Sequence, residues 1–174
     1  VGTSGWSYDW DGFYPPGLKS SDYLLHYAKR FDAVEVNYTF YRLPREKTFE
    51  RWRTLTPENF CFALKLSRFI THVKRLVDAG EAIGNFMERA SVLGSKMGPI
   101  LVQLPPSLEF DKDVLDGFLS ELTAARRDGD PARRIRAAVE FRHRSWFEDE
   151  RRSETAKTLA THEAAWVFAH SKKY

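Results

Sequence analysis

The sequence predicts an α/β protein of the TIM-type β/α-barrel class, and three observations carry that prediction. Strand-like and helix-like segments alternate along all 174 residues. There is one pair for about every 30 residues, the length of a βαβ unit. Several strands alternate apolar and polar residues, whereas parallel strands covered by helices on both faces read as continuous apolar runs. The polar members gather toward the carboxyl ends of their strands: Glu35 and Asn37, Lys65 and Ser67, Glu140 and Arg142. Helical crossovers argue against an antiparallel sheet that would turn these groups to water. A closed barrel instead collects inward polar side chains at a solvent-accessible mouth. A doubly wound open sheet is the competing arrangement.

In chain order, residues 1–5 read as a short strand and 6–17 as an aromatic loop rich in Gly and Pro. Ser20, Ser21 and Asp22 offer caps for a helix reaching about Phe31, with Tyr23, Leu24, Tyr27, Ala28 and Phe31 along one face. Residues 33–37 form the second strand, which runs into an aromatic, basic turn ending at Pro44. A short helix over 46–55 places Phe49 and Trp52 on one side and stops at Thr56-Pro57. The third strand, 60–67, points Phe62, Leu64 and Leu66 one way and Ala63, Lys65 and Ser67 the other. After a basic loop comes a helix over about 81–96, then a fourth strand over 99–104 with Gln103 on its polar side. Residues 111–125 are helical, with Val114, Leu115, Phe118, Leu119 and Leu122 in register. The Arg/Asp/Gly-rich stretch 126–134 is a solvated loop. It is followed by a fifth strand over 136–142, a helix near 154–162 and a sixth strand near 165–169.

Composition sets the outer bounds. With 43% hydrophobic, 29% charged and 14% aromatic residues, the chain has the apolar mass for one core. A net charge of +3 permits an anionic partner without requiring one. The single cysteine, Cys61, excludes an internal disulfide and a cysteine-clustered metal site, and its apolar strand neighbours suggest a core position. It also fits a reducing, cytoplasmic setting. No apolar run approaches the ~20 residues of a membrane span, and no signal-peptide pattern is present.

Five motifs occur in order: GTSGWSYDWDGFYP (2–15), VEVNYTFYRLP (34–44), FALKLSRFITH (62–72), LVQLPPS (101–107) and VEFRHRSWF (139–147). Together they resemble the YecE-like family, domain of unknown function 72. The resemblance implies a TIM-type barrel and members longer than this chain, but no particular reaction. The family's Arg-Leu-His-Gly motif has no counterpart here. Where relatives tend to carry an Asp in the sixth strand, this sequence reads Ala169-His170. A complete barrel takes ~200 to 250 residues or more. The expectation is therefore one barrel domain over 1–174 with about six strands, its C-terminal units missing from the chain.

At the mouth, Glu35 and Glu140 are candidates for an acid/base pair, since carboxyls in unequal environments can take different roles. A purely structural role, in which Lys65 and Arg142 neutralise them inside the barrel, is the alternative. Lys65 as a Schiff-base nucleophile needs a depressed pKa, and two neighbouring carboxylates should raise it. His72 and His143 follow strand ends. A metal held by both histidines and both glutamates lacks close ligand spacing and faces cationic neighbours, so neither a metal nor a cofactor is expected. Lys65, Arg142 and His72 would stabilise charge, while Asn37 and Gln103 would donate hydrogen bonds to substrate. Tyr41 and Trp146 would form walls, with Arg42, Arg68, His143, Trp6 and Tyr8 around the rim. Interleaved cations and aromatics suit a small anionic substrate, phosphorylated or nucleotide-like, processed by hydrolysis or acid/base chemistry. The same rim suits a nucleic acid whose bases stack. The second basic group, Arg126, Arg127, Arg133, Arg134 and Arg136, precedes the fifth strand and belongs to the opposite face.

Overall fold

A computed structural model describes residues 1–8, 10–125 and 135–169. Six strands form one sheet: β1 (Gly2–Ser4), β2 (Ala33–Val36), β3 (Cys61–Lys65), β4 (Met97–Gln103), β5 (Ala137–Glu140) and β6 (Ala165–Trp166). They pair in sequence order, β1-β2-β3-β4-β5-β6, and every pairing is parallel. A doubly wound sheet reverses its strand order at a switch point; this one has no reversal. Successive crossovers of one hand put the longer helices on the same face. The architecture is thus α/β with a six-stranded parallel sheet, consistent with a TIM-like arrangement. Among the described residues β1 and β6 are edges and do not pair with each other.

The crossovers carry α1 (Tyr23–Tyr27), α2 (Tyr38–Tyr41), α3 (Glu46–Leu55), α4 (Gly80–Ala90), α5 (Lys112–Ala124) and α6 (Asp149–Thr161). Helices α3 to α6 pack each against the next. The outward strand residues Val34, Val36, Phe62, Leu64, Ile100, Val102 and Val139 meet Tyr27, Phe49, Ile83, Phe86, Leu115 and Phe118 in one buried core. The other face of the sheet is lined by Ala33, Ala63 and Ala138, with Cys61 half-buried among them rather than in the core as its apolar neighbours suggested. Its register against Ala33 turns it to the concave side. Leu101 of β4 lies on this face as well, in register with Lys65 and Ala138.

Several boundaries differ from the sequence expectation for local reasons. The first helix is one tight turn at Ser20–Asp22 followed by five residues, and none of the polar residues before it makes a side-chain cap. The 81–96 helix ends at Ala90 and tightens over Ser91–Lys96, where Gly94 breaks the helical dihedrals at φ 59°. Lys96 is buried there and donates to Arg53 O and Thr56 O, both at 2.7 Å, which caps α3 from another element. The turn after β2 is the short helix α2, and α6 begins at Asp149, earlier than expected. Strand β4 begins at Met97 because Gly98 lets it approach β3, where the register shifts between Phe62 and Leu64. A Cβ at Gly98 would stand 2.5 Å from Cys61 Sγ and 3.0 Å from Phe62 O. Gly98→Ala should therefore lower unfolding stability by about 1–3 kcal/mol, the usual cost of overpacking. Chemical denaturation against the parent protein measures it.

Candidate functional site

The concave face carries its polar groups at the carboxyl ends of the strands, and each is set by the element it ends. On β2, Glu35 lies in register with Ser4 of β1 and Ala63 of β3. Ser4 Oγ donates to Glu35 Oε1 at 2.8 Å, and Asn37 Nδ2 donates back to Ser4 Oγ. Glu35 is half-buried and its partner is this hydroxyl; no ion pair with Lys65 forms. On β5, Glu140 is only 6% exposed and both its oxygens are engaged. Gln103 Nε2 donates to Oε2 and Arg142 Nε to Oε1, each at 2.8 Å. Gln103 thus holds a carboxylate in place, since its register partner on β5 is Glu140 itself.

Lys65 ends β3. Thr39 Oγ1 lies 2.7 Å from Lys65 O and 2.8 Å from Val36 O, so one hydroxyl fastens α2 to the ends of two strands. That fastening sets the Phe40 ring under the Lys65 ammonium, 4.8 Å from ring centroid to Nζ, with the His72 ring edge-on to Phe40 at 5.0 Å. The chain after β3 makes a wide turn, Phe69–Val73, in which Lys74 N donates to Phe69 O. Beyond it Arg75, Leu76 and Asp78 all take positive φ, a strained run for residues with a Cβ. Buried Leu76 and the bonds from Arg75 to Ser107 Oγ and O hold it in place.

Burial lowers the Lys65 pKa, outweighing the opposing pull of Glu35, while Arg142 lowers it further against Glu140. The carboxylates were expected to raise it. They do not prevail because each is held by other groups and desolvation dominates. His72 is also lowered, first by burial and then by Arg68, Lys65 and Arg142. Glu35, Lys65, Arg68, His72, Glu140 and Arg142 therefore share one electrostatic neighbourhood. A histidine lowered below its ordinary 6.5 takes up protons more readily when unfolded. Its contribution to stability is full above that value and is lost as pH falls below it. His72→Asn should flatten the acid side of a melting-temperature profile taken over about pH 5 to 8.

Other expected site residues sit elsewhere. Trp146 is not a wall of the mouth. It is 1% exposed, packs on Phe141 and Phe110, and its Nε1 donates to Leu108 O at 2.8 Å. A tight turn at Arg144–Phe147 drives the indole under the loop after β4. His143 starts that turn, where its Nδ1 caps Ser145 N at 3.3 Å. Trp6 packs edge-on against Trp52 of α3 and so turns away from the concave face. Tyr8 is half-exposed beside Gly5 and Trp10, just past β1. Tyr41, Arg42 and Arg68 are exposed at the rim, with Tyr41 at 78%. Lys74 donates to Asp78 O, and Arg45 faces a separate depression with Glu46, Lys47 and Arg89. Arg136 precedes β5, at the far end of the sheet from the polar groups; Arg126, Arg127, Arg133, Arg134 and His170 lie outside the described residues. Phe40 was missed, because nothing in YTFY distinguishes the inward ring from the exposed ones. Among the described residues no group of three or more His, Cys, Asp or Glu could hold a metal. None of the described helices is long and apolar enough to cross a membrane.

The family profile described as "Protein of unknown function DUF72" matches residues 1–174. The chain belongs to the DUF72 family. Among curated DUF72-type relatives, UPF0759 protein YunF of Bacillus subtilis (strain 168) is 29% identical over 153 residues, covering 84% of this chain and 51% of the relative. UPF0759 protein YecE of Escherichia coli (strain K12) is 31% identical over 125 residues, covering 71% and 43%. The chain thus spans about half the length of the curated relatives it matches. A crystal structure of a DUF72 family protein from Thermotoga maritima MSB8 superposes with a TM-score of 0.73 at 31% identity, covering 94% of this chain and 62% of that one. One from Enterococcus faecalis V583 gives 0.72 at 20% identity, covering 95% and 58%, a likeness of fold alone. The YecE-like resemblance of the five motifs is thereby borne out.

Proposed function

We propose that this DUF72 chain supplies six units of a β/α barrel whose mouth binds a small anionic substrate, phosphorylated or nucleotide-like. Hydrolysis or another acid/base reaction takes place there. The observation that carries the reading is the convergence of Lys65, Arg68, His72 and Arg142 around the carboxyl end of β3. Lys65, Arg68 and Arg142 supply positive charge there, and Ala63 and Ala138 are small neighbours on the same face. Consecutive parallel strand order supports closure by further β/α units, which would place the concave face inside the barrel. Arg142 and Lys65 neutralise the substrate, and Glu35 and Glu140 move protons. Asn37 and Gln103 orient the carboxylates, in addition to any contact with substrate.

Inorganic phosphate should raise the melting temperature of the full-length protein, and a panel of phosphoesters, glycosides and nucleotides should reveal turnover. Loss of turnover in Glu35→Gln or Glu140→Gln assigns the proton donor. Full activity in both variants would remove the acid/base assignment. Exposed Tyr41, Arg42 and Arg68 at one rim favour a second reading, single-stranded nucleic acid with bases stacked on the rim. That reading requires affinity that falls steeply with salt and with Arg42 or Arg68 substitution.

A further inference from the structure

Lys65 has a feature that anion binding alone does not use. Its side chain leaves the carboxyl end of β3 on the concave face and is half-buried. The two carboxylates that could neutralise it are held elsewhere, Glu35 by Ser4 and Glu140 by Gln103 and Arg142. Among the described residues no carboxylate lies within ion-pairing distance of its Nζ, whose contact is the face of Phe40. On the same face Ala63 of its own strand and Ala138 of β5 are small, and the register partner between Lys65 and Ala138 on β4 is Leu101. A partly desolvated lysine in the field of another cation, with no carboxylate paired to it, is the arrangement in which an amine becomes a nucleophile.

We propose that Lys65 forms an imine with the carbonyl carbon of a small phosphorylated aldehyde or ketone whose phosphate is held by Arg142 and Arg68. The phosphate grip rests on the anion-site reading above; the covalent step is additional to it. The ammonium first loses a proton, and the free amine attacks the carbonyl carbon, forming a C–N bond. The carbonyl oxygen takes up two protons, one from the nitrogen and one equal to that first lost, and leaves as water when the C–O bond breaks. The product is a protonated imine with no net change in protons. Burial and Arg142 lower the Lys65 pKa from its ordinary value, and the contact with Phe40 and the charges of Glu35 and Glu140 oppose that fall without cancelling it. Each unit of depression raises the free-amine fraction at neutral pH about tenfold. His72, lowered by burial and then by the same cations, is the group suited to carry the proton between nitrogen and oxygen.

The test is borohydride trapping on the full-length protein with dihydroxyacetone phosphate, with unphosphorylated dihydroxyacetone in parallel, followed by peptide mapping. The expected result is a reduced adduct concentrated at Lys65, above that at any surface lysine. It should be suppressed by inorganic phosphate and absent in Lys65→Arg, a variant that keeps the charge and should still be stabilised by phosphate. Uniform labelling, or no adduct while phosphate still stabilises the protein, overturns the imine and leaves the anion site standing. Equal trapping of both ketones overturns the phosphorylated substrate class. Neither adduct nor stabilisation overturns both readings.

Discussion

Trp146→Ala is expected to lower the free energy of unfolding by about 3–5 kcal/mol, the range for emptying a buried aromatic position. The indole is enclosed by Phe110 and Phe141, and its Nε1–H is satisfied by Leu108 O inside the fold. Removing it leaves a cavity and an unpaired carbonyl where the loops after β4 and β5 meet. Ser145 helps join the same loops, with Phe110 N donating to its Oγ at 2.7 Å. Trp146→Phe keeps most of the volume and loses the hydrogen bond, so a smaller loss of about 1–2 kcal/mol is expected. Denaturant midpoints of the three proteins check this order. An alanine variant with an unchanged midpoint and weakened ligand binding would instead return Trp146 to the mouth.

Arg142→Ala is expected to weaken phosphate binding by about tenfold to a hundredfold, corresponding to ~1.5–3 kcal/mol for a hydrogen bond to a charged group. Stability should fall as well, because buried Glu140 keeps Gln103 but loses its cation. That loss should be about 1–3 kcal/mol. It is less than for a fully buried ion pair, since Arg142 is partly exposed to water. Glu140→Gln added to Arg142→Ala removes the orphaned charge, so the double variant should recover stability without recovering phosphate affinity. Calorimetric titration with phosphate and denaturant unfolding of the parent and both variants separate the two effects. Parallel recovery of affinity and stability would mean that Arg142 serves only to hold Glu140.

The alternation of apolar and polar residues in VEV, FALK and VE was enough to assign Glu35, Lys65 and Glu140 to one face. In an extended strand successive side chains must point to opposite sides. The same period hid what happens past the strand ends. His143 and Trp146 follow β5 as closely as His72 follows β3, yet one loop folds back into the core and the other passes the concave face. Nothing local in RHRSW states that its tryptophan will meet Phe110, more than thirty residues earlier in the chain. Lys96 was equally illegible, because the carbonyls it caps belong to a helix some forty residues away.

The sequence by itself therefore determined the α/β class, the order of strands and helices, the family, and which strand residues share one face of the sheet. These follow from local periodicity and from motifs contiguous along the chain. Only the tertiary structure decided which partners each of those residues keeps. Glu35 turns to Ser4 and not to Lys65, Glu140 takes both Gln103 and Arg142, and Lys65 is left over the ring of Phe40. Partner choice depends on strand register and on how far each side chain is withdrawn from water. Both are set by contacts between residues distant in the chain, and so is the balance of burial against charge that lowers Lys65.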